Sequence, residues 1–139
     1  PPMIYGPGCK GNFPKLLKLA KYAFVFPDIE NRRSMLYIEN FCTYLKSVIE
    51  LVKNGIYFPH NDETVSTTQI VTTYRFAKDK YTIKINMPHF LIKLLSNLAI
   101  FNKIFGSKIY EIEADKVNSF SFSNSLKAII HYEATSDEG

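Results

Sequence analysis

The feature that most limits what this chain can become is a line of apolar residues spaced three and four apart: Met35, Ile38, Cys42, Leu45, Ile49 and Val52. Such spacing puts them along one side of a helix. It predicts a long helix from about Asp28–Asn31 to Lys53, with Asp28 as N-cap and Asn54-Gly55 as the stop. The line covers about two and a half heptads, short of the three to four wanted for a coiled coil. Phe41 and Val48 widen it beyond a narrow seam. The expectation is a helix laid on a core, with Cys42 a packed core thiol.

Around that helix the pattern predicts others. Phe13 to Phe24 reads as a short helix, with Leu16, Leu17, Leu19, Ala20, Ala23 and Phe24 on one side and Lys15, Lys18 and Lys21 on the other. Thr68, Ile70, Thr72, Tyr74 and Phe76 alternate, as do Tyr81, Ile83, Ile85 and Met87, which predicts a hairpin turning at Lys78-Asp79-Lys80. Pro88 to Phe105 reads as a third helix, closed by Gly106. The run Met87–Phe105 is apolar but carries His89, Lys93 and Lys103, so a buried helix is expected rather than a membrane span. Strands are expected at Lys108–Ala114, Val117–Ser123 and Leu126–Ala134.

The expected fold class is therefore α+β, in the order α-α-β-β-α-β-β-β. An antiparallel sheet of about five strands would pack on two to three helices. The part from the second helix onward is similar in element order to roadblock-like and longin-like modules, which implies an interaction domain. Expected boundaries are a Pro/Gly-rich lead-in over 1–12, one domain over 13–134 and an acidic tail over 135–139. A chain of 139 residues with 46% hydrophobic and 22% charged residues suits one ordinary globular core. The heavy use of Lys, Asn, Ile, Tyr and Phe points to an AT-rich or viral genome. The chain shows no signal peptide, so a cytoplasmic or otherwise intracellular location is expected.

The candidate sites come from charge and spacing. Net charge is +4, and no acid precedes Asp28. Lys10, Lys15, Lys18, Lys21, Tyr22, Arg32 and Arg33 form a candidate nucleic-acid face, because lysines track phosphates and an aromatic ring stacks a base. Glu111 and Glu113 share a strand face. With Asp28 they resemble the acidic pattern of metal-dependent nucleases, although Glu113 stands where that pattern has Lys. His131 beside Glu133 makes a candidate acid–base pair. Two cysteines, Cys9 and Cys42, and the isolated His60, His89 and His131 make no metal-ligand cluster, so no metal is expected.

Gly6-Pro7-Gly8-Cys9-Lys10-Gly11 fits the G-x-G-x-x-G spacing that lets a backbone approach a pyrophosphate. A short helix and the absence of further βαβ units favour a Gly-rich lead-in instead, so no cofactor is expected. The leading functional expectation is a non-catalytic protein-interaction or assembly domain of a larger protein, with a protein partner or self-association. Binding of RNA or single-stranded DNA comes second, and a metal-dependent nuclease third.

Overall fold

The computed structural model describes residues 2–51, 59–61, 64–107, 121–122, 130 and 134. The elements are β1 (Met3–Tyr5), α1 (Asn12–Tyr22), β2 (Val25–Asp28), β3 (Met35–Tyr37), α2 (Ile38–Leu51), β4 (His60–Asn61), α3 (Thr67–Ala77), β5 (Ile83–Asn86), α4 (His89–Leu95), α5 (Ala99–Phe105) and β6 (Ser121–Phe122). Among the described residues the strands pair two by two, β1 with β3, β2 with β5 and β4 with β6, and every pair is parallel. This overturns the expected five-stranded antiparallel sheet. Parallel neighbours need a crossover rather than a tight turn. Here α1 and β2 intervene between β1 and β3.

The expected hairpin fails at its first strand, because residues 67–77 are helical. Thr67, Ile70, Val71 and Tyr74 lie at steps of three, one and three, and all are buried. Ile70 and Tyr74 thus fit a helical period as well as the alternating one. The decisive local signal is Ser66-x-x-Gln69, a capping box. Ser66 Oγ accepts from Gln69 N at 3.0 Å, and Ser66 N donates to Gln69 Oε1 at 2.7 Å. Lys78-Asp79 does turn the chain, with Asp79 at φ 54°, but it leads from a helix into β5.

The long helix is also shorter than expected. Asp28 ends a strand, Met35 begins another, and α2 starts only at Ile38. Its inward line is Phe41, Tyr44 and Val48, one step round from the predicted stripe. Tyr44 is buried and its ring stacks on Phe41 at 6.4 Å. Cys42 and Leu45 are exposed, and Ile49 is 75% exposed, so Cys42 is not a core thiol. The third predicted helix breaks into α4 and α5 at Ser96–Leu98, and neither piece has a buried residue. Among the described residues no helix is long and apolar enough to cross a membrane.

The core lies between α1 and α3, closed by β1 and β3. Phe13, Leu16, Leu17 and Ala20 of α1 meet Ile70, Val71 and Tyr74 of α3, with Tyr5, Phe26 and Met35 from the strands. Ile130 and Ala134 complete it. Both are helical, against the strand expected over Leu126–Ala134. The strands predicted over Lys108–Ala114 and most of Val117–Ser123 lie outside the described residues, as does the Asn54-Gly55 stop.

Candidate anion site

Arg33 sits between β2 and β3, and its position follows from its neighbours. Its backbone bridges Val65 in both directions, N to O at 3.0 Å and O from N at 3.1 Å. That bridge pulls the residue inward until only 8% of it is exposed. Nη2 donates to the carbonyls of Lys103 at 2.8 Å and Ile104 at 2.6 Å, at the C-terminal end of α5. A guanidinium suits that end, because the carbonyls there carry the negative pole of the helix. Thr67 Oγ1 donates to the same Ile104 carbonyl at 2.6 Å, while Asn31 and Thr67 exchange two hydrogen bonds of 2.9 Å. The α5 end is thus anchored from two sides.

Nε of Arg33 is left over. It is buried, and no described residue accepts its proton. Burial also pushes the guanidinium down from its ordinary value, yet an arginine in a protein stays charged. A buried cation normally has an anionic partner, because desolvation costs several kcal/mol otherwise. Among the described residues no carboxylate pairs with it.

Two clefts open against this side chain. One, of about 590 Å³, is lined by Lys10, Asn12, Arg33, Ser34 and Lys103 among others. The other, of about 280 Å³, shares Met3, Asn12, Arg33 and Lys103 with it and adds Lys15. Among the described residues no carboxylate lines either one. Asn12 is also the first residue of α1, whose N-cap is Gly11 and whose N-terminus carries no side-chain cap. An uncapped helix N-terminus presents free N–H groups to an anion. Each cleft thus has two lysines, the buried arginine and the first residue of α1 in its lining, which is chemistry for a multiply charged anion.

The Gly-rich segment leads into this site in a strand–loop–helix order, but Gly6 serves packing. A Cβ there would stand 2.6 Å from Ile38 Cγ2 and 2.9 Å from Tyr37 Cε2, and φ is +142°. Its bare Cα lets α2 and β3 close over the end of β1.

The predicted basic face divides into three. Lys10, Lys15 and Arg33 line the two clefts just described. Lys18, Lys21 and Tyr22 are exposed on α1 outside the linings of both, with Tyr22 82% exposed. Arg32 lines a separate cleft with Asp28, Asn31, Ser66 and Lys84, and its backbone N–H donates to Ser107 Oγ at 3.2 Å. Asp28, named with Glu111 and Glu113 as an acidic candidate, approaches Lys84 at 4.0 Å. Glu111, Glu113 and His131 lie outside the described residues. Sequence reasoning missed Lys103 and Asn12, which sit far from Arg33 in the chain and become neighbours only through the fold.

Comparison with known proteins adds one similarity. The chain is 31% identical over 111 residues to a UDP-glucose 4-epimerase from Vibrio cholerae, an alignment that covers 76% of this chain and 32% of that enzyme. The chain therefore spans about a third of the length of the curated relative it matches. No protein-family model matches.

Proposed function

We propose that this chain forms the phosphate-gripping part of a protein that handles a nucleotide sugar. The carrying observation is Arg33, nine-tenths buried, without a described carboxylate partner and with a free Nε, beside an uncapped helix N-terminus. The similar enzyme takes its name from UDP-glucose, whose two linked phosphates are the kind of anion such a site holds. Arginine favours phosphate because its planar donors match the oxygens two at a time. The proposal concerns binding and assigns no bond-making step to these residues.

Isothermal titration of the full chain with UDP-glucose, UDP and glucose tests it. UDP-glucose and UDP are expected to bind, and glucose is not. Affinity for UDP should fall as salt rises. Lys103→Ala, at an exposed position, should weaken UDP without unfolding the chain. Equal indifference to all three compounds would sink the reading.

A second reading has its own observation. Val25 and Ile83 face each other across β2 and β5, and Ile85 follows on the same side; all three are about half exposed. Parallel strands in known folds are covered on both faces. With the exposed Leu45 and Ile49 of α2, this supports association with a protein partner or a second copy as part of an assembly. Sedimentation velocity decides it: a lone monomer at high concentration, unchanged by Ile83→Asp, removes self-association.

A further inference from the structure

The smaller cleft beside Arg33 differs in character from the larger one. Its lining is mostly apolar, with Met3, Leu16, Leu19, Ile100 and Ile104 beside Asn12, Lys15, Arg33 and Lys103. Leu19 is 44% exposed and Ile100 74% exposed, so apolar surface is held open across a gap. The gap measures about 280 Å³, whereas a dry cavity of roughly 150 Å³ already holds a benzene ring. Lys15, Arg33 and Lys103 line it too, and it shares Arg33 with the larger, more polar cleft.

We infer that this cleft is a second subsite, which takes a compact apolar group carried on a phosphate held by Arg33. The inference rests on the anion site described above and not on the nucleotide sugar, and it gives that site a second ligand class. The ligand is an organic phosphate with one ring or short branched chain, its anionic end at Arg33 and its apolar part between Leu19 and Ile100. Charge complementarity selects the anionic end, since no acid among the described residues lines either cleft. The hydrophobic effect selects the other end, because both apolar walls are wetted when the cleft is empty. A polar ring of similar size gains nothing there, as its hydroxyls would lose water without finding partners.

The test is competition on the full chain among inorganic phosphate, phenyl phosphate and glucose 1-phosphate, read by titration calorimetry. Phenyl phosphate should bind roughly tenfold tighter than inorganic phosphate, and glucose 1-phosphate no tighter. Leu19→Asn and Ile100→Asn, both at exposed positions, should each bring phenyl phosphate down towards inorganic phosphate. Phosphate binding that Arg33→Lys weakens, with no advantage for the phenyl ester, would overturn the subsite and leave the anion site standing. An equal gain for glucose 1-phosphate would also overturn it. No binding of any of the three would overturn the anion site and the subsite together.

Discussion

Arg33 and Arg75 are buried alike, 8% and 6% exposed, but their donors go to different places. Arg75 is spent on structure. Its Nη1 donates to the carbonyls of Ala20 and Lys21 at the end of α1, at 3.3 and 3.0 Å, and its Nε and Nη2 both donate to the Tyr81 carbonyl, at 3.3 and 2.9 Å. One side chain thus ties the end of α1, the end of α3 and the approach to β5. Among the described residues the Arg33 side chain ties only α5, keeps Nε without an acceptor, and lines two clefts. The lesson is that burial alone does not separate a structural arginine from a binding one. The census of its donors does.

The comparison can be broken or sharpened by substitution, beginning with Arg75. Arg75→Ala leaves three carbonyls short of a charged donor and should cost about 3 kcal/mol in urea unfolding. A loss below about 1 kcal/mol would remove the structural role claimed for it. Next comes Gly6→Ala, which forces a Cβ into Ile38 and Tyr37 and should cost about 2 kcal/mol by overpacking. A neutral result would reopen the idea that this glycine exists to admit a ligand.

Arg33→Met keeps much of the stem's packing and removes the charge. It should lower affinity for UDP by about tenfold or more, the factor that about 1.4 kcal/mol represents, while thermal stability falls less than in Arg75→Ala. If its stability falls as far as that of Arg75→Ala, the two arginines are doing the same job and the contrast fails. The smallest effect belongs to Lys18→Ala. It lies on the exposed face of α1 outside both cleft linings, so stability should change by less than about 0.5 kcal/mol and UDP affinity by less than a factor of two.

Sequence alone was enough for a helix within Phe13–Phe24 with Leu16, Leu17, Ala20 and Ala23 inward, though Leu19 and Phe24, expected on the same side, are exposed; it was also enough for a turn at Lys78-Asp79 and for Gly106 at a helix end. These are local matters of period, turn chemistry and capping, written within a few residues. It pointed to a strand where α3 stands, since Thr68–Phe76 fits two periods at once and only the Ser66–Gln69 cap separates them. It misplaced α2's inward face because the apolar residues of that helix outnumber what the core covers, and hydrophobicity does not say which line will be buried. Parallel pairing was beyond it, because β1–β3 and β2–β5 join residues 32 and 58 positions apart. Arg33 was legible as a charge and not as a site. Only the tertiary structure withdrew it from water, gave one nitrogen to α5, and set Lys10, Asn12 and Lys103 around the rest.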